Sequence, residues 1–328
     1  MFPSAPLKCG LLSLLVAGFA GESRIAFASH RDGNWEIYVM DADGGHQTRL
    51  THREPQDRFP LWSPDRSKIA FGSQVGGTHW ELWVMNADGS NARQLASDIV
   101  AKGFRQWSHD GTRIVFAART QGSMEIFSVD VASGRVNQLT TSPGDDGDPS
   151  WSPDDRQIVF SSARDGNPEI YLMRADGSAL RRLTDHAAAD GSPVWSPDGS
   201  RVAFVSTRDG GGNVYLLRLD DGRIERLTVD AHVTKDMPRW SPDGSYLAIQ
   251  TAERGNYDIQ LVRIADHRRT VVAGTPEFDG QFSWSSRGDR IAFISGRDGI
   301  DALYVADATG RGLRRLTTTS SLNPEWAP

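Results

Sequence analysis

The chain has 328 residues, 24% of them charged, and a formal net charge of −6 at pH 7. That balance, without a basic run, argues against a nucleic-acid-binding surface. The single cysteine, Cys9, excludes an intrachain disulfide and a cysteine-based metal site, while 33 glycines and 16 prolines suit a chain full of tight turns.

The chain opens with one positive side chain, Lys8, and then an apolar run from Leu11 to Ala20. A short apolar run between a basic start and small residues reads as a secretory signal and is too short to span a bilayer. Residues 1–21 are therefore expected to be a signal peptide, with cleavage after Ala20 and a mature charge of −7. Cys9 precedes the apolar run, which fits a lipoprotein signal badly. The expected location is periplasmic or secreted.

From Arg24 onward the sequence repeats. Trp195-Ser196-Pro197-Asp198-Gly199 precedes Arg201-Val202-Ala203-Phe204, and near-copies surround Trp62, Trp107, Trp151, Trp240 and Trp284. These tryptophans step by 44 or 45 residues, and Trp326 follows 42 after the last. A period of about 40–45 residues with several short strands per unit is the signature of a β-propeller. In the unit at Trp195, strand a is predicted over Pro193 to Ser196, b over Arg201 to Ser206, c over Asn213 to Leu219 and d over Arg223 to Thr228. Alternating apolar residues and Asp-Gly turns carry these assignments. Strand b begins near 24, 68, 113, 157, 201, 246 and 290, so there are seven units.

The chain opens at a strand b and closes at a strand a. The fold class predicted is therefore all-β: a seven-bladed β-propeller of four-stranded antiparallel blades over 22–328, closed by pairing of the N- and C-terminal strands. On this reading it is a monomer complete in one domain, without a membrane span. The repeated tryptophan is read as a wedge between neighbouring sheets, and the Ser-Pro-Asp-Gly segment as a turn.

The repeats resemble the TolB-like propeller family. Its pattern is matched by Ser29-His30-Arg31-Asp32-Gly33 with Glu36-Ile37-Tyr38-Val39-Met40-Asp41-Ala42-Asp43-Gly44. It is matched again by Ala163-Arg164-Asp165-Gly166 with Glu169-Ile170-Tyr171-Leu172-Met173, and by the closing Leu-Thr pairs. The resemblance covers residues 24–328 and implies the fold. Similar repeats occur in the periplasmic TolB protein, in propellers attached to serine peptidases and in some lyases. Two departures matter: TolB resembles a six-bladed propeller behind an N-terminal α/β domain, and the peptidase relatives carry a hydrolase domain. This chain has seven units and no Gly-x-Ser-x-Gly elbow.

Strand alternation puts the d–a and b–c loops on one face and the short turns on the other. The first face carries the longer, more varied loops, where binding residues gather. Five residues before each tryptophan, at the entry to the innermost strand, stand Asp57, Lys102, Asp146, Asp190, Lys235, Asp279 and Ser321. The first six are the candidate binding residues, ringing the channel mouth for a protein or peptide partner or a cationic ligand. The competing reading pairs the aspartates with the loop arginines Arg31, Arg119, Arg164, Arg208 and Arg297. His52, His186 and His232 stand at unequal offsets before their tryptophans, so no metal site, no catalytic residue and no cofactor is assigned. The leading function is a non-enzymatic binding scaffold of the cell envelope or exterior; the alternative is a propeller lyase or hydrolase acting on a polysaccharide.

Overall fold

The computed structural model describes residues 24–77, 79–99, 106–120, 122–229, 231–234, 237–253 and 255–328. Twenty-eight strands form seven blades around one axis, and none of the described residues is helical. No helix among them is long and apolar enough to cross a membrane. Blade I takes its innermost strand from Ser321–Trp326 and its others from Arg24–Ser29, Glu36–Asp41 and Thr48–Arg49. The clasp is therefore present, with Ile25 opposite Trp326 and Ser29 opposite Ser321. Blades II to VII follow in chain order, beginning at Gln56, Gln106, Asp146, Asp190, Arg239 and Asp279. Blades II and III are joined by one bridge, Ile99 to Ala118, where the outer strand Arg93–Ile99 runs long.

Blade V shows the local logic. Strand b, Arg201–Ser206, lies where the alternation places it, and strand c ends at Arg218. Strand a begins earlier than Pro193, because Asp190 pairs with Ser206 across an irregularity between Gly191 and Val194. Ser192 sits there with φ 52°, and Phe59, Asp148, Gln281 and Asn323 repeat the kink in other blades. A bulged residue bends the innermost strand at the narrowest radius. Strand d keeps only Ile224–Arg226 in the ladder. Thr228 leaves it because its side-chain Oγ1, rather than a backbone carbonyl, accepts the Val214 N–H at 2.9 Å. The equivalent bonds to Thr51, Thr140, Thr184 and Thr317 explain the closing Leu-Thr pairs.

The core lies between blades. Phe27, Phe71, Phe116, Phe160, Phe204 and Phe293 are wholly or almost wholly buried on six of the b strands, and Ile249 takes their place in blade VI. Trp62 packs with Ala26, Ile37 and Val39 of blade I and Ile69 of its own blade, as a wedge should. Trp107 and Trp284 also donate Nε1–H to the carbonyls of Leu61 and Arg239 in the preceding blade, each at 3.1 Å.

Candidate functional site

The two faces are built differently. On the short-turn face Ser63, Ser108, Ser152, Ser196 and Ser241 donate Oγ–H to Asp65, Asp110, Asp154, Asp198 and Asp243 at 2.5–2.7 Å. These bonds hold Asp65, Asp154, Asp198 and Asp243 below the usual carboxylate range. In blade VII, Arg287 stands in the turn and Ser285 reaches Asp289 instead, at 2.7 Å. One turn chemistry is repeated around this face.

On the opposite face the sequence-predicted ring divides. Lys102 and Lys235 lie outside the described residues. Asp57, Asp146, Asp190 and Asp279 stand at the heads of innermost strands, as placed, but each is 0% exposed. Three of them meet the loop arginines. Arg164 Nη2 lies 2.8 Å from Asp146, Arg208 Nη2 2.8 Å from Asp190, and Arg297 Nη2 3.1 Å from Asp279. In each case the arginine Nε–H also donates to a serine hydroxyl at the end of strand b, Ser162, Ser206 or Ser295, at 2.7–2.9 Å. Each guanidinium lies over a tyrosine ring of strand c, 4.7–5.0 Å from its centre. Those tyrosine hydroxyls donate to Asp165, Asp209 and Asp298. Burial first, and then the carboxylate, pushes them up to about 12.

A second buried device supports the same loops. Glu36, Glu125 and Glu169, almost fully buried, accept from Thr51, Thr140 and Thr184 at 2.5–2.7 Å. Arg49 and Arg182 pair with Glu36 and Glu169 at 2.7 and 3.1 Å. Buried charge is tolerated where pairing and hydrogen bonds satisfy it. These networks therefore fix the roots of the long loops without dictating their tips.

Blade II breaks the rule. Val75 stands where blades I, IV, V and VII carry the loop arginine, and both oxygens of Asp57 and the hydroxyl of Ser73 have no hydrogen-bond partner among the described residues. Burial pushes the Asp57 carboxyl up to about 6; the neighbouring hydroxyls of Ser73 and Thr51 and the charge of Arg53 pull it down, and Glu36 adds to the rise. Arg53 comes from the d–a loop and lies 3.5 Å over Trp83. Arg58 lies 4.5 Å over Trp35, with its pKa lowered by burial. Sequence reasoning missed both stacks, since neither arginine stands at a repeated position. It also missed Arg239 and Glu325, 3.0 Å apart. Those residues belong to blades VI and I, so their contact reaches past blade VII.

His52 and His232 are exposed, and His186 Nδ1 accepts from Ala188 N at 3.0 Å. Among the described residues no three His, Cys, Asp or Glu side chains form a group able to hold a metal. A cavity of about 1060 Å³ lies on the flank between blades III and IV, lined by Arg113, Arg135, Asp154, Arg156 and Arg174. It belongs to the short-turn side, away from the ring.

The comparisons agree with this architecture. The family model described as the TolB beta propeller domain matches residues 19–147 and 78–237. The Tol-Pal system protein TolB of Desulfosudis oleivorans is 41% identical over 56 residues, 17% of this chain and 13% of that protein's length. TolB from Acinetobacter baumannii superposes with a TM-score of 0.61 at 20% identity, over 93% of this chain and 67% of the other. An oligogalacturonate lyase from Vibrio parahaemolyticus gives 0.70 at 18% identity, over 86% and 85%. The β-propeller domain of the Trilobed protease from Pyrococcus furiosus gives 0.67 at 14% identity, over 91% and 95%. At such identities these structures share the fold. With the family model matched over more than half its length, this chain belongs to the TolB β-propeller family.

Proposed function

We propose that this chain is a non-enzymatic binding scaffold of the cell envelope or exterior, and that its partner, a protein or peptide, docks on the long-loop face at the channel mouth. One observation carries the reading: buried ion pairs anchor the long loops at their roots, while their exposed tips differ from blade to blade. The tips include His52 and Glu54 in one loop and Asp185 and His186 in another, all exposed. A rigid ring that presents unlike side chains is what recognition requires. The opposite face repeats one turn and offers little to distinguish one blade from the next. The aspartates of the ring serve this surface as supports beneath it. Membership of the TolB family is consistent with an envelope location and with the leader predicted over residues 1–21.

The test is capture from an envelope extract of the native host by immobilised chain, with exposed tips exchanged on one face at a time. Glu54→Lys with Asp185→Lys should lose the retained partner. Arg156→Ser with Arg287→Ser, at exposed positions of the turn face, should keep it. Equal retention by the two variants sinks the assignment of the face. The similarity of the oligogalacturonate lyase, which extends over most of both chains, supports the second reading, a polysaccharide lyase. That reading is tested by incubation with oligogalacturonate and the ultraviolet absorbance of an unsaturated product.

A further inference from the structure

The blades act as internal comparisons for one another, and blade I differs from its siblings in one atom group. In blades IV, V and VII the loop arginine is held by three contacts: a serine hydroxyl on Nε, a tyrosine ring beneath the guanidinium, and a carboxylate on Nη2. Arg31 of blade I keeps the first two. Its Nε–H donates to Ser29 Oγ at 3.1 Å, and its guanidinium lies 4.4 Å over Tyr38. The third position differs, because the innermost strand offers Ser321 where the siblings offer aspartate. The Ser321 hydroxyl turns away to Thr317 Oγ1 and the Thr319 carbonyl, at 3.1 and 3.0 Å. Among the described residues no carboxylate lies within ion-pair distance of Arg31; the adjacent Asp32 feels its charge but is bonded to Tyr38 and Arg49.

We propose that Arg31 captures a carboxylate brought by a protein partner, on an acidic side chain or a chain end. The inference rests on the reading of the long-loop face as the binding surface and names what one part of it holds. Arg31 is half-buried, so part of it meets solvent, while its contacts with Ser29 and Tyr38 already fix its orientation. Little rotamer freedom is then lost on binding, and a charge-assisted bond to a guanidinium is stronger than a neutral one. The adjoining loop, Thr317–Ser321, consists of hydroxyl residues only, so it brings no negative charge to compete. Blade II carries the opposite defect, a carboxylate without its loop arginine, but Asp57 is sealed at 0% exposure. Ser321 is equally buried, but Arg31 keeps partial exposure. A protein carboxylate fits better than an acidic sugar because the nearby rings, Tyr38 of strand c and Trp35 of the b–c loop, each already carry a guanidinium on one face, that of Arg31 and of Arg58. A sugar would find its stacking surface occupied.

The experiment uses the full chain, nitrogen-15 labelled. The Nε–H resonance of Arg31 is identified by its loss in Arg31→Gln. It is followed as a capped glycine pentapeptide with one central glutamate is added, at constant ionic strength. The expected result is a saturable shift in the millimolar range, about tenfold weaker for the glutamine peptide. Ser321→Asp supplies the carboxylate that the sibling blades carry. It should leave the fold intact and abolish the response to the glutamate peptide. Equal responses to the two peptides in the wild-type chain, or an undiminished response in folded Ser321→Asp, overturn the proposal. So does trigalacturonate binding at Arg31 about tenfold more tightly than the glutamate peptide. If the peptide preference is missing while tip exchange still controls capture, the carboxylate site alone fails and the binding face stands.

Discussion

Trp326 stands opposite Ile25 in the antiparallel ladder that ties the last strand to the first. Trp326 is 3% exposed and packs with Phe27, Tyr38 and Leu316, so the clasp is both a hydrogen-bonded edge and a wedge. Removing residues 320–328 should expose the edge of Arg24–Ser29 and empty that wedge. Trp326→Ala alone should cost about 3–5 kcal/mol. Thermal unfolding measures both, and a truncated chain that melts with the full-length one shows that the clasp contributes nothing.

Asp57 predicts an unusual pH dependence. Its carboxyl is raised from 3.8 to about 6, chiefly by burial. The folded value exceeds the unfolded one, so the native chain holds that proton more tightly between about pH 4 and pH 6. The stability it contributes is complete below that window and is lost as pH rises through it. Asp57→Asn removes the ionisation, and should exceed the wild type by up to about 3 kcal/mol at pH 8, with a gap that shrinks toward pH 4. Urea unfolding at several pH values measures the gap, and a pH-independent gap contradicts the assignment. Val75→Arg combined with Arg53→Ala frees the Trp83 face for a guanidinium beside Asp57 and should bring the carboxyl back down.

Much of this fold was legible because it repeats. The tryptophans, the Ser-Asp turns and the offset between the first and last strands are visible as spacings, and the structure turns each into a wedge, a hydrogen bond or a clasp. The aspartate ring was legible as a set of positions. Its pairing with the loop arginines was legible too, as the competing reading, and Arg164 to Asp146 bears it out; the burial of Asp57, which has Val75 in place of that arginine, was not. The left-handed residues Phe59, Asp148, Ser192, Gln281 and Asn323 share a position and no residue type, so composition cannot reveal them. Blade VI departs further. Its hairpin strands Tyr246–Glu253 and Asn256–Arg263 run long, and Val233 bridges to Thr251 to extend the sheet. Nothing in the repeat pattern specifies that extension.

The buried ion pairs differ from blade to blade in a way that mutation can read. Arg208→Gln leaves the wholly buried Asp190 without its partner and should cost about 3–5 kcal/mol. Adding Asp190→Asn should recover part of that loss, since the unpaired charge is gone. Arg31→Gln breaks no ion pair and should cost about 1 kcal/mol, the worth of a side-chain hydrogen bond. Urea midpoints of these variants order the effects, and equal losses for Arg208→Gln and Arg31→Gln contradict the pairing described for blade V.

The closing threonines give the sharpest comparison, because two blades use one bond with different acceptors. Thr184 Oγ1 accepts from Ile170 N at 2.9 Å and donates to the Glu169 carboxylate at 2.6 Å. Thr228 makes the same pair of bonds, to Val214 N at 2.9 Å and to the neutral amide oxygen of Asn213 at 3.2 Å. Both hydroxyls are buried, and valine keeps the shape while removing the oxygen. Each Thr→Val variant strands one buried N–H, so that loss is common to both. The difference between them reports the bond to the acceptor, about 1.5–3 kcal/mol for a carboxylate against about 1 kcal/mol for a neutral group. Thr184→Val should therefore be the more destabilising at neutral pH. Burial raises the Glu169 carboxyl, but bonds from Thr184, His186 N, Asn167 and Arg182 more than offset this and hold it below the usual range. A depressed value contributes stability above the unfolded pKa that is lost as pH falls through the folded one. The excess cost of Thr184→Val over Thr228→Val should thus shrink in acid, once Glu169 is protonated and its bond is no longer charge-assisted. Paired urea titrations at neutral and acidic pH measure it. An excess that stays constant with pH, or a larger loss for Thr228→Val, would mean that the carboxylate does not carry the bond.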